Sequence, residues 1–229
     1  MRRPLLLPAV LILALATGFF GFRSSAEEAR QIPPPRIDAP GDAATEIAVL
    51  AGGCFWGVQG VYQHVAGVSS AVSGYAGGTE KSASYDAVSS GMTDHAEAVK
   101  IVFDPRVISY GRVLQIFFST IHDPTQLDRQ GPDVGRQYRS AIFPSTEAQA
   151  ATARAYIAQL DQAKTFPKKI VTRIETGDFY PAEAEHQDFM ARYPRHPYIA
   201  YHDIPKLAAF KRLFPDRYRA EPALVATGG

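Results

Sequence analysis

EIAVLAGGCFWGVQGVYQHV, residues 46–65, decides how this chain is read. Glu46-Ile47-Ala48-Val49-Leu50 is a short apolar run of the kind that forms a buried strand. Gly52-Gly53 then breaks the chain, and Cys54 to Val65 suit a helix. Strand, glycine turn and helix in quick succession set an α/β pattern. The lone cysteine of the chain stands at the joint.

The same rhythm continues outward. Ser69 to Tyr75 reads as a second strand, closed by Gly77-Gly78, and His95 to Phe103 as a third. Ser109 is a candidate cap for a helix ending near Ile121, with Val113, Leu114, Phe117, Phe118 and Ile121 on one face. Ser140 to Phe143 reads as a short strand. Ser145 with Glu147 opens an alanine-rich helix whose inner stripe is Ala150, Ala153, Ile157 and Leu160. Ile170 to Glu175 reads as another strand, and Pro181 starts a last helix through Met190. The order is βαβ, βαβ, αβα, which predicts an α/β or α+β fold with a mixed sheet and flanking helices. Periodicity leaves the topology open.

At the N-terminus, Arg2 and Arg3 precede an apolar run from Leu5 to Phe22, and Ser24 and Ala26 follow it. Residues 1–26 read as a secretory signal cleaved after Ala26, with an uncleaved membrane anchor as the alternative. The protein is then expected outside the cytoplasm, in the periplasm or beyond. Residues 27–44, with Pro33-Pro34-Pro35, read as an extended linker. Residues 45–214 read as the core domain, and 215–229, ending in Gly-Gly, as a loose tail. A hydrophobic fraction of 46% supports a core. The 24 basic and 23 acidic side chains show no basic cluster, so nucleic acid is not expected as a partner. The chain is read as a monomer.

A single cysteine excludes an intramolecular disulfide, and in an oxidising compartment a leftover thiol is a liability unless buried or used. Cys54 opens a helix, where free N–H groups and the macrodipole favour a thiolate. A buried structural cysteine is the plain alternative. Phe55 and Trp56 cannot both face one narrow stripe. Either one turns inward and the other outward, or they make an apolar wall beside the thiol. The histidines show no H-E-x-x-H spacing, and no metal site is read among them.

Gly52-Gly53-Cys54-Phe55-Trp56, Gly67-Val68 and Gly74-Tyr75-Ala76-Gly77-Gly78 resemble the A-type peptide methionine sulfoxide reductase family. So do Tyr85, Thr93-Asp94-His95-Ala96-Glu97-Ala98-Val99, His122-Asp123-Pro124-Thr125 and Gly131 through Ser140. The matches lie in order over about residues 46–200. The resemblance implies a ferredoxin-like two-layer sandwich core. It implies reduction of the S epimer of methionine sulfoxide, free or in proteins, without a metal or bound cofactor. Reducing a sulfoxide needs a soft nucleophile for sulfur and a proton for the departing oxygen. By the resemblance Cys54 is the nucleophile and Glu97 the acid. Tyr85 and Tyr138 would donate to the sulfoxide oxygen, Phe55 and Trp56 would enclose the methyl group, and Asp133 would order the site. Read without the resemblance, Glu97 is a solvated carboxylate on a strand, Tyr85 and Tyr138 packing residues, and Asp133 a turn residue.

Many relatives carry a second cysteine that attacks the sulfenic acid; some have it directly after the Phe-Trp pair, where this chain has Gly57. With no other cysteine here, resolution must come from outside. The reductant is either a low-molecular thiol or a thioredoxin-like or glutaredoxin-like protein. Three rivals come from other classes: a cysteine hydrolase, a thiol peroxidase and a non-catalytic peptide-binding module. The first predicts dependence on a histidine and the last indifference to Cys54→Ser.

Overall fold

In the computed structural model, residues 29–225 are described apart from 39, 40 and 42. The signal reading of residues 1–26 lies outside them. The chain runs β1 Glu46–Gly52, α1 Phe55–Gln63, β2 Val68–Ala76, α2 Tyr85–Ser89, β3 Ala96–Phe103 and α3 Tyr110–Ile116. A π-helical turn Phe117–Ile121 extends α3. Then come the short pair β4 Arg129–Gln130 and β5 Asp133–Val134, followed by β6 Ser140–Phe143 and α4 Glu147–Gln162. The chain ends with β7 Arg173–Ile174, β8 Phe179–Pro181, α5 Phe189–Arg192, a second π-helical turn Ile199–Asp203, and α6 Ile204–Leu213.

Six strands make one mixed sheet in the order β7-β6-β1-β3-β2-β8, with only β6 and β7 parallel. Alternation along the strands divides the core. Ala48 and Leu50 of β1, with Val99, Ile101 and Phe103 of β3, join the cluster of α1, α3, α4 and α6. Val49, Ala51, Ala96, Ala98, Ala141 and Phe143 lie on the opposite face, where Phe179 packs on them. Both faces are covered, which is why β1 reads as an unbroken apolar run. The mixed sheet with flanking helices agrees with the expected fold class.

Local signals account for the helices that were read correctly. Ser109 caps α3, its hydroxyl accepting from the Arg112 amide. Thr146, not Ser145, caps α4. Tyr156 joins the α4 stripe, and Ile157 is only half-buried.

Three expectations are corrected. Pro181 does not start a helix. It ends β8, an edge strand, where the missing N–H costs no ladder bond. The described part of the linker is docked. Ile32 is buried in the core, and its carbonyl accepts from Gln115 at 2.6 Å. The Pro33 carbonyl accepts from the Tyr156 hydroxyl at 2.7 Å, and Asp38 accepts from the Gly111 amide at 2.9 Å. Residues 215–225 are pinned as well. Val65 and Tyr218 form a β-bridge, and the Ala223 amide donates to Gln63 at 2.9 Å.

Candidate active site

Antiparallel pairing sets the site. β1 matches Leu50 to Val99, so the end of β1 runs level with Glu97 at the start of β3. Gly53 then turns the chain at φ +89, a conformation that suits glycine. Cys54 follows as the N-cap of α1. Because odd positions of β3 face the helices, Glu97 points into the same layer as Val99 and Ile101. It is 2% exposed, so it is not a solvated strand residue. The Phe55 amide donates to its Oε2 at 3.0 Å, tying the carboxyl to the first turn of α1.

Glu97 has its pKa pushed up to about 8. Burial is the main cause, the Phe55 amide draws it back, and the charges of Asp133 and Asp203 add to the rise. It therefore holds a proton near neutral pH. The Cys54 side chain is also covered, the residue being 8% exposed. Burial pushes its thiol well above the ordinary value, with Glu97 and Asp203 adding to the effect and the Trp56 amide opposing it. The bias toward a thiolate expected from the helix start does not prevail in the folded site. The helix N-terminus acts in the foreseen direction, but burial, with Glu97 and Asp203 nearby, outweighs it.

Phe55 and Trp56 divide as the packing argument allows. Phe55 is 1% exposed and packs on Tyr75 and His186, ring centroids 5.9 and 5.4 Å apart. Trp56 is half-buried and stacks on Phe189 at 3.8 Å, with Tyr198 edge-on at 5.9 Å. Tyr85 opens α2, its ring 4.3 Å from His186 and its amide donating to Glu183 at 2.9 Å. Glu183 also accepts from Tyr75 at 2.8 Å. Tyr138 ends a 3-10 turn, Arg136–Tyr138, ahead of β6. Burial raises both phenols, and the charges of Glu97, Cys54 and Asp133 raise them further. Cys54, Tyr85, Glu97, Asp133 and Tyr138, from five separate segments, therefore gather around one place. Asp133 on β5 accepts from the Tyr198 hydroxyl. Burial raises Asp133, and this bond holds it down.

Sequence reasoning missed Tyr198, Asp203, His186 and Phe189 as members of this group. All arrive from the C-terminal third, where Pro205 and the Lys211-Arg212 pair could have marked α6 as a helix. Nothing in the sequence tells that the residues just ahead of it, Tyr198 and Asp203, lie near Cys54. Among the described residues no group of three His, Cys, Asp or Glu side chains is placed to hold a metal ion. The arrangement offers a sulfur nucleophile, a carboxylic acid carrying a proton beside it, phenol donors, and an aromatic surface on Trp56. That is the equipment for attack on a polarised centre that must lose an oxygen.

The family model described as peptide methionine sulfoxide reductase matches residues 46–218. Peptide methionine sulfoxide reductase MsrA 2 of Mesorhizobium japonicum is 56% identical over 82% of this chain and 95% of that protein. The protein of the same name from Synechocystis is 48% identical over 91% of this chain and 99% of its own length. Among solved structures, reduced Mxr1 of Saccharomyces cerevisiae superposes with a TM-score of 0.61 at 32% identity, covering 73% of this chain and 96% of that one. Methionine sulfoxide reductase A of Corynebacterium diphtheriae gives 0.57 at 28% identity, covering 76% and 91%.

Proposed function

The chain belongs to the peptide methionine sulfoxide reductase family, and we propose that it works by a one-cysteine cycle on the S epimer. It is an oxidoreductase that reduces methionine sulfoxide to methionine. The observation that carries the proposed mechanism is that Cys54 and Glu97 are both buried at the first turn of α1, where the Phe55 amide donates to the Glu97 carboxyl.

The sulfoxide oxygen accepts hydrogen bonds from Tyr85 and Tyr138, which strengthen as charge gathers on it. The S-methyl group lies against Trp56, with Phe55 beneath as a buried floor. Cys54 Sγ attacks the sulfoxide sulfur while the oxygen takes the Glu97 proton. The thiol proton passes back to the Glu97 carboxylate, so the acid is restored, and the hydroxyl moves from the substrate sulfur to Sγ as the new Sγ–S bond breaks and its electron pair stays with the thioether. In net terms Cys54 S–H and the sulfoxide become Cys54 S–OH and the thioether. Cysteine sulfur loses the two electrons that methionine sulfur gains. An external thiol then attacks Cys54 Sγ and releases water, and a second thiol frees Cys54 as a disulfide leaves. The thiol donor is a thioredoxin-like or glutaredoxin-like protein or a low-molecular thiol. No metal or bound organic cofactor enters this scheme. The basic, apolar, small-residue pattern of residues 1–26 supports export, and scarce reductant outside the cytoplasm calls for a dedicated thiol supply.

The test presents the S and R epimers of a blocked methionine sulfoxide separately, with excess dithiothreitol. Methionine formed from the S epimer alone, and abolished by Cys54→Ser, is the expected result. Turnover of neither epimer by folded, reduced protein would overturn the reading.

A further inference from the structure

Asp203 ends the second π-helical turn and is 0% exposed. Burial pushes its carboxyl up, and Lys206 opposes that rise, Nζ donating to Oδ1 at 3.3 Å. Its Oδ2 is buried with no hydrogen-bond partner. An orphaned buried acceptor is costly, and a native structure keeps one for a reason. Its place in the fold suggests the reason. A Cβ added to Gly57 would lie 2.1 Å from Asp203 Oδ1, so the carboxylate is pressed against the first turn of α1. Cys54 caps that same turn. The reaction supplies a donor at this place. When Cys54 takes oxygen from the substrate, Sγ–H becomes Sγ–O–H and a hydroxyl appears at the first turn of α1.

We propose that Asp203 accepts the hydroxyl of the Cys54 sulfenic acid and holds the oxidised cysteine neutral until an external thiol arrives. The inference rests on the oxygen-transfer reaction proposed above. A carboxylate beside Sγ–O–H opposes its ionisation, just as it opposes ionisation of the thiol. Neutral sulfenic acid is the electrophile that a thiol attacks. The thiol sulfur bonds to Cys54 Sγ, the S–O bond breaks, and the hydroxyl leaves as water with the thiol's proton. The sulfenate anion is the form that peroxide converts to sulfinic acid, a dead end for this chain. With no second cysteine, the oxidised state lasts as long as the external thiol takes to arrive. Charged and titratable groups facing Asp203 are Lys206 and His202 from its own segment, and Asp133, Glu97, Cys54 and Tyr198 from elsewhere.

The experiment oxidises the protein once with methionine sulfoxide in the absence of thiol, then adds hydrogen peroxide. Mass spectrometry follows conversion of the one-oxygen adduct on Cys54 to the two-oxygen adduct. Asp203→Asn and Asp203→Ala are expected to convert at least about tenfold faster than the native protein, the factor for a one-unit gain in sulfenic acidity. Lys206→Met leaves the carboxylate in place but favours its protonation, and an intermediate acceleration is expected. Equal conversion rates in native protein and variants, with methionine still formed in the first step, would overturn this inference alone. Absence of both methionine and the one-oxygen adduct in the native protein would overturn the proposed function with it.

Discussion

The helix α1 carries two kinds of buried polar chemistry within three turns. At its start, Cys54 is covered, Glu97 holds one hydrogen bond, and Trp56 Nε1, His186 Nδ1 and Asp203 Oδ2 have no partner. One turn further on, Gln59 donates to the Ala71 carbonyl at 3.0 Å and to Gln187 Oε1 at 2.8 Å, and accepts from the Asp188 amide at 2.9 Å. Gln63 donates to Asp188 Oδ1 at 2.6 Å, and Gln187 reaches both Ser73 and Ala182. In the second group the Gln59, Gln63 and Gln187 side chains and the Asp188 carboxylate are all engaged, and they tie α1 to β2 and to the start of α5. The first is left open. A network that fastens elements uses up its hydrogen bonds, while a site that must greet a substrate keeps some in reserve.

If the open end performs the chemistry, breaking it should alter rate more than stability. Glu97→Gln is expected to slow methionine formation in a single turnover by about 100-fold or more, the usual weight of a general acid. The native step should fall as pH rises past about 8, where Glu97 loses its proton, and the variant should lack that limb. The stability sign is equally defined. Folded Glu97 titrates near 8 against 4.5 for the free group, so the folded state alone holds the proton between those values. Stability therefore declines as pH rises through that window, and denaturant midpoints of Glu97→Gln should show a shallower decline.

The fastened end predicts the opposite balance. Gln59→Leu strands the Ala71 carbonyl and the Asp188 amide, costing about 2–4 kcal/mol of stability. Its single-turnover rate per folded molecule should stay within about twofold of the native value. A large loss of rate without loss of stability would erase the distinction between the two ends. Tyr138→Phe removes one donor to the sulfoxide oxygen, and about a tenfold fall in kcat/KM is expected. Tyr198→Phe, which only frees Asp133, should cost less, about threefold and mostly in KM.

Legibility in the sequence follows the same division. β1 and β6 were readable from their apolar runs, β2 and β3 from apolar residues interrupted by Ser73, Glu97 and Lys100, and α3 because Ser109 and its stripe are local signals. Cys54 and Glu97 were legible through ordered motifs. Asp203 and Tyr198 were not, because their roles depend on a C-terminal segment folding back across a long stretch of chain onto α1. Pro181 misled because a proline suits a helix start and a sheet edge equally, and only the topology decides. The charge state of Cys54 could not be read from a helix start alone, since it depends on how much water the finished fold removes.

The docked segment around Ile32 sets a lower bound on the autonomous folding unit. A fragment trimmed to residues 46–218 would discard the plug that fills the Ile32 slot and the acceptors of Gln115 and Tyr156. Each stranded donor costs about 1–3 kcal/mol, and the emptied slot about 2 kcal/mol more. Expression boundaries for this chain should therefore start upstream of Arg30 rather than at β1.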